Sequence, residues 1–190
     1  MKLTIALAIG AVLLTAPLAA QDAPTTRIVD PAASVEERLQ ALTDREEIAR
    51  MIVSLGHSYD TRDWALHRSL FADEIDMDFS ASIGSGLTRM RADDWVAAVR
   101  PFFEALDATQ HIGMPLAISI EGNRAEATAM LHAQHFLKEA RGESVQRMIG
   151  SYDIDFTRTA DGWKIVKVVQ HIDWNEGNWY VFEMAAGISE

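Results

Sequence analysis

Asp60, His111 and His135 are the residues of this chain best suited to chemistry, because a carboxylate beside an imidazole makes a general acid–base pair. Asp60 follows Tyr59, and Tyr59 continues an apolar stripe made by Ile48, Ile52 and Leu55 at helical spacing. That places Asp60 beside the interior. An acid at a helix C-terminus lies on the unfavourable side of the helix dipole, so the position asks for a reason. A solvated helix end is the plainer alternative. His111 stands in Thr109-Gln110-His111-Ile112-Gly113, read as a connection between a helical and a strand half. Alone, such a histidine is ordinarily structural, and it gains weight from its company.

Strand alternation sorts the remaining candidates. Leu131, Ala133, His135 and Leu137 share one face, with Met130, His132, Gln134 and Phe136 on the other. The small, apolar face is expected to line a cavity, so His135 points in and His132 points away. The two histidines are therefore not a metal-binding pair. Ser151, Asp153 and Asp155 oppose Tyr152, Ile154 and Phe156. Two acids in mid-strand are unusual. Either their face is solvated, or Ser151 and Asp153 enter the cavity near His135. His171 and Trp174 close the last strand and are placed at the cavity mouth, His171 more as a structural residue.

The chain has no Cys, which removes disulfides, thiolate zinc sites and cysteine nucleophiles. It carries no Gly-rich phosphate loop, nucleophile elbow or His-Glu-x-x-His motif. What remains suits cofactor-free proton chemistry: elimination of water, isomerisation or retro-aldol cleavage. Zinc held by His111, His135 and Asp60 is a weaker alternative.

The elements that must position these residues follow from periodicity. Ser34 with Glu37, and Thr43 with Glu46, have capping-box spacing and mark helix starts. Asp63 is placed to cap a short helix through Trp64, Leu66 and Leu70. Asp93 or Asp94 starts another, with Trp95, Val96, Val99, Phe102 and Phe103 inward and a kink expected at Pro101. Strands are expected over 116–121, 124–138, 145–158 and 163–174, separated by turn signals at Gly122, Gly142 and Gly162. Helices first and strands later indicate an α+β fold, with helices packed on one face of a curved, mainly antiparallel sheet that encloses a pocket.

The chain is 190 residues long, which suits one domain, here 34–185. Its 17 basic and 28 acidic residues give a net charge of −11, which argues against a nucleic-acid partner. Residues 1–20 have a basic start at Lys2, an apolar run from Leu3 to Leu14, and small residues after Pro17. This is the anatomy of a cleavable export signal, too short for a comfortable membrane span. Residues 21–33 read as a flexible linker. The expectation is an exported protein, periplasmic or secreted, without membrane insertion once the signal is removed.

Together these pieces resemble scytalone dehydratase and the related SnoaL-like members of the nuclear transport factor 2-like superfamily. The resemblance covers about 35–180 and rests on Tyr59-Asp60-Thr61-Arg62-Asp63-Trp64, Thr109 to Gly113, and His135. It ends with Asp161-Gly162-Trp163-Lys164 and Ile172-Asp173-Trp174-Asn175-Glu176. It implies a cone-like α+β barrel and a homo-oligomer, a trimer or dimer. It implies that Tyr59, Asp60, His111 and His135 are catalytic. His111 would remove a proton beside a carbonyl and help the hydroxyl leave. Asp60 would pair with His135, Tyr59 would hold the carbonyl directly or through water, and Ser151 would be a pocket serine. Two positions depart from the family. Phe79 stands where the fungal dehydratase has a second carbonyl-orienting Tyr, and Asp153 where it has an Asn. Both argue against scytalone itself as substrate.

The leading expectation is a lyase that needs no cofactor or metal and dehydrates a hydroxylated cyclic or aromatic small molecule. Alternatives on the same fold are an isomerase using Asp60 with Asp153, an epoxide hydrolase, a carbon–carbon lyase, or a ligand-binding protein without catalysis.

Overall fold

The computed structural model describes residues 32–188, so the expected export signal and nearly all of the expected linker lie outside the described residues. Helix α1 spans Val35–Thr61. Its capping box forms as the spacing requires: Glu37 N–H donates to Ser34 Oγ, and Ser34 N–H donates to Glu37 Oε2. Thr43 starts no second helix. It lies inside α1, and its hydroxyl donates back to the Leu39 carbonyl. Ile48, Ile52, Leu55 and Tyr59 form the buried stripe. Helix α2 (Trp64–Ser69) is capped by Asp63, which accepts from Leu66 N–H.

Two strands escape the sequence reading, β1 (Phe71–Phe79) and β2 (Ser85–Arg91), joined by the single turn α3 (Ser80–Ile83). Helix α4 (Ala92–Ala105) is entered from Arg91, two residues before Asp93, so both expected acids lie in its first turn, and it continues through Pro101. Strand β3 runs Ala108–Glu121, eight residues earlier than expected, so His111 sits on a strand and not in a loop. Then come β4 (Arg124–Phe136), β5 (Val145–Thr159), β6 (Gly162–Gly177) and the short α5 (Tyr180–Ala185).

The strands form one six-stranded sheet in the order β2-β1-β6-β5-β4-β3. All neighbours are antiparallel except β1 and β6. Both β2 and β3 are edges, so the sheet is not a closed barrel, and helices complete the cone. The core lies between α1, α4 and the inner sheet face, around Trp163, Phe71, Phe156 and Ile165.

One ion pair fixes the far end of α1. Asp44, 4 % exposed, accepts two bonds from the Arg158 guanidinium at 2.7 and 2.6 Å, and others from Trp163 Nε1 and Gln40. The Arg158 bonds, ahead of burial, hold the Asp44 carboxyl below its ordinary range. Asp60 lies sixteen residues further on, roughly 24 Å along the helix axis. The β5–β6 hairpin thus anchors one end of the helix, and the other end carries the acid.

Candidate active site

Asp60 sits in the last turn of α1, over the start of β3. Close approach of these elements depends on glycine at two places. A Cβ on Gly56 would lie 2.9 Å from His111 Cβ, and one on Gly113 would lie 3.2 Å from the Ile52 carbonyl oxygen. With helix and strand this close, the carboxylate reaches the β3 backbone. Oδ2 accepts from His111 N–H at 2.8 Å, while Oδ1 accepts from the Thr109 hydroxyl at 2.9 Å and pairs with His111 Nδ1 at 2.7 Å. Arg62 braces the arrangement. It donates to Thr109 Oγ1, to the Leu106 carbonyl and, by a short contact, to the Tyr59 carbonyl at the helix end.

This answers the question posed by an acid at the wrong end of a helix. Burial alone would raise the Asp60 pKa. The bonds from the His111 ring and backbone, with that from Thr109, outweigh it and hold the carboxyl below its ordinary value. Because Asp60 is an ionised acceptor, His111 carries its proton on Nδ1. That leaves Nε2 with the lone pair.

Asp60 therefore pairs with His111, not with His135 as the resemblance implied. Thr109 lies opposite His135 and His111 opposite Ala133, so both imidazoles project from the same inner face on neighbouring strands. Their ring centroids are 5.2 Å apart, nearly perpendicular. His135 is 3 % exposed, packed against Phe102 and Phe182. Burial, reinforced by nearby His111, lowers its pKa to about 3, so it stays neutral. Its Nδ1 is buried and has no partner among the described residues.

Both histidines face a cavity of about 300 Å³ between α4, α5 and the inner sheet face. Tyr59 and Phe79 line it as expected. Tyr59 stacks on Phe103 at 4.3 Å and lies 5.4 Å from the His111 ring. Burial raises the Tyr59 phenol well above its ordinary pKa, so it is a protonated donor.

Four residues expected in or at the mouth of the pocket, Ser151, Asp153, His171 and Trp174, are elsewhere. Ser151 and Asp153 lie on the outer sheet face, where Asp153 bonds the Thr128 hydroxyl and His171 Nε2. The β5 residues that line the cavity are Met148 and Tyr152. The solvated-face alternative is thus the right one, and no isomerase pair of Asp60 with Asp153 exists. Trp174 is 55 % exposed and outside the cavity lining, while Trp179 contributes instead. The residues missed by sequence reasoning are Trp95, Met148, Tyr152, Gln170 and Phe182. For Tyr152 a signal was present, since Tyr152, Ile154 and Phe156 form the more apolar face of β5. Among the described residues no group of three or more His, Asp or Glu is placed to hold a metal ion. No described helix is long and apolar enough to cross a membrane.

Comparison with known proteins adds a family and a set of folds. A family model described as a SnoaL-like domain matches residues 40–169. Among curated proteins there is no significant match. The chain is similar to the Kfla4162 protein from Kribbella flavida, with 28 % identity, a TM-score of 0.71, and coverage of 74 % of this chain and 98 % of that one. A Novosphingobium aromaticivorans protein provisionally named a scytalone dehydratase is 14 % identical, with a TM-score of 0.63 over 72 % of this chain and 89 % of the other. A type 2 hexachlorocyclohexane dehydrochlorinase is 18 % identical, with a TM-score of 0.60 over 73 % and 90 %.

Proposed function

The chain belongs to the SnoaL-like domain family, and from that premise we propose that it is a cofactor-independent lyase that eliminates water from a hydroxylated cyclic or aromatic small molecule. The observation that carries the reading is the Asp60–His111 pair, bonded at 2.7 Å and set at the wall of an apolar cavity with a second imidazole beside it. Names given to structural neighbours support a lyase class: one is provisionally a dehydratase, another a dehydrochlorinase.

In the proposed reaction, His111 Nε2 takes a proton from a carbon beside the substrate carbonyl. The C–H electron pair moves onto the carbonyl as an enolate, then returns to form the new C=C double bond as the C–O bond to the hydroxyl breaks. The departing hydroxide takes that proton back from His111 Nε2 and leaves as water, which returns the imidazole to its neutral form. Asp60 holds the imidazole in its working tautomer and stabilises the imidazolium that forms. His135, neutral by burial, serves as a hydrogen-bonding partner to the leaving hydroxyl and not as a charged acid. Tyr59 is a protonated donor within reach of the same cavity. A positioned acid–base group of this kind is worth about a hundred- to ten-thousand-fold in rate.

The test is a mass-spectrometric screen of hydroxylated ketones, aromatic diols and steroid-like alcohols, without added cofactor. The expected result is loss of water by the protein and none by a folded His111→Ala variant. Unchanged turnover in that variant would overturn the reading. Retention of an unaltered compound by both proteins would favour a binding protein instead. The basic, apolar start of residues 1–20 supports export, and we place the reaction outside the cytoplasm, in a homo-oligomer.

A further inference from the structure

Arg62 stands where a chain ordinarily places a glycine. It follows the last residue of α1 and ends the helix in the left-handed conformation, at φ 59° and ψ 26°. Every other positive φ among the described residues belongs to a glycine. A side chain is unfavourable in this conformation, and glycine is not. The guanidinium is unfavourably placed as well. Arg62 is half-buried where α1 meets the end of α4 and the start of β3. That burial lowers its pKa below the ordinary value, against the opposing pull of Asp60 and Glu104. A residue disfavoured in both backbone and solvation, two positions from Asp60, calls for a functional reason.

Its hydrogen bonds give that reason. Nη1 donates to Thr109 Oγ1 at 2.8 Å, and Nη2 donates to the Leu106 carbonyl at the end of α4 at 3.2 Å. Nη1 also donates to the Tyr59 carbonyl and reaches the Asp60 carbonyl at 3.5 Å. The Phe103 ring lies 5.8 Å from the guanidinium carbon. A threonine hydroxyl that accepts from a cation turns its own proton elsewhere. Here it turns to Asp60 Oδ1, 2.9 Å from the hydroxyl oxygen. The guanidinium also offsets the negative, carbonyl end of α1, which repels the carboxylate beside it. Neither Arg62 nor Thr109 lines the cavity, so both act on the Asp60–His111 pair and not on a substrate.

We infer that Arg62 is a positioning residue for the Asp60–His111 pair: its guanidinium directs the Thr109 hydroxyl proton at Asp60 and so keeps the carboxylate turned to the imidazole. Asp60 Oδ1 then receives the Thr109 hydroxyl and the His111 ring N–H, while Oδ2 receives the His111 backbone N–H. Without the guanidinium the hydroxyl is free to rotate, and the carboxylate loses one of the three donors that hold it. A lysine cannot take this place, because a single ammonium does not fork between Thr109 and the Leu106 carbonyl. The inference rests on the acid–base reading of the pair proposed above and adds the residue that keeps the pair aligned.

The test reads the pair itself and needs no substrate. In the proton NMR spectrum of the full protein, the His111 Nδ1–H is expected as a far-downfield resonance protected from exchange, identified by its loss in His111→Ala. Arg62→Gly suits the left-handed backbone, and it is expected to speed exchange of this proton by about tenfold or more, as loss of a hydrogen bond to a charged group requires. Methylguanidinium chloride is expected to restore slow exchange, and methylammonium chloride at the same concentration is not. Thr109→Val keeps Arg62 and tests the same path where Arg62→Gly fails to fold. It is expected to speed exchange likewise, with no recovery by methylguanidinium. Unchanged exchange in either variant would overturn the inference. So would a loss in Arg62→Gly that methylguanidinium does not reverse, which would leave Arg62 a helix cap only, or equal recovery with methylammonium. A substrate screen without turnover, beside the expected exchange results, would remove the lyase and keep the role of Arg62. A native protein with no protected resonance would overturn both.

Discussion

Two Asp–His pairs occupy opposite faces of the same sheet. Asp60 and His111 meet at 2.7 Å, with side chains 19 % and 6 % exposed; Asp153 and His171 meet at 2.9 Å, with side chains 53 % and 49 % exposed. The residue types and the contact are nearly the same, and the surroundings are not. Outside, water competes for both partners, salt screens them, and such a pair is worth about 0–1 kcal/mol. Inside, the carboxylate takes two further bonds from His111 N–H and Thr109, and Arg62 holds Thr109 in turn. The inner imidazole has one tautomer and faces an apolar cavity. The pairing of an acid with a histidine does not make a catalytic site. What sets the inner pair apart is a fixed tautomer with a shielded lone pair, the feature on which the proposed general base rests.

Substitutions can break this comparison, and the largest effect is expected at the inner imidazole. His111→Ala should lower turnover by about a hundred- to ten-thousand-fold, with thermal unfolding showing that the protein is folded. Asp60→Asn should fall in the same range, because an amide can present its N–H to the ring and favour the wrong tautomer. Steady-state kinetics should assign that loss mainly to kcat. A smaller effect is expected at Gly56→Ala. Its new Cβ would meet His111 Cβ at 2.9 Å and its carbonyl oxygen at 3.2 Å, so α1 must move from β3. Overpacking of this kind costs about 1–3 kcal/mol, against about 1 kcal/mol gained in helix propensity. Turnover should drop about tenfold, since Asp60 leaves register with His111, and stability should fall by about 0–2 kcal/mol, the difference of those two effects.

The interior can also be tested through pH. His135 is lowered to about 3 and His67 to about 4, in both cases first by burial and then by proximity to His111. His67 is fully buried against Ser58 Oγ at 2.8 Å. Both folded values lie below the ordinary 6.5, so the unfolded chain binds more protons between them. Their contribution is fully present above pH 6.5 and is lost as pH falls towards 4 and 3. Urea unfolding should show stability falling by about 1.4 kcal/mol per pH unit for each imidazole below 6.5. His135→Gln should make the slope shallower. The smallest effect belongs to the outer pair: His171→Ala should change turnover by less than about twofold and stability by at most about 1 kcal/mol.

Much of this architecture was legible before any coordinates. The stripe from Ile48 to Tyr59 located α1 and put Asp60 at its end, and alternation along β4 separated His135 from His132 correctly. The failures have physical causes. Strand β1 alternates apolar residues with Asp73, Asp76 and Asp78, so its composition looks like a solvated loop. Thr43 and Glu46 match a capping box, but a helix already under way offers Thr43 the Leu39 carbonyl instead. On β5 the acids drew attention to the wrong face, although Tyr152, Ile154 and Phe156 were the better guide to burial. The partner of Asp60 was beyond reach of spacing arguments. It lies fifty-one residues away, and the choice between His111 and His135 is made by how closely α1 can approach β3 at Gly56 and Gly113.

In the proposed reaction the inner pair removes a proton from carbon and the outer pair does not. The most direct measurement follows deuterium uptake at the α-carbon of a panel of cyclic ketones in heavy water, by NMR, with no leaving group required. Uptake above the buffer rate is expected with the native protein and with His171→Ala, and none with His111→Ala or Asp60→Asn. Uptake that persists in His111→Ala, or a native rate no faster than buffer, would contradict it.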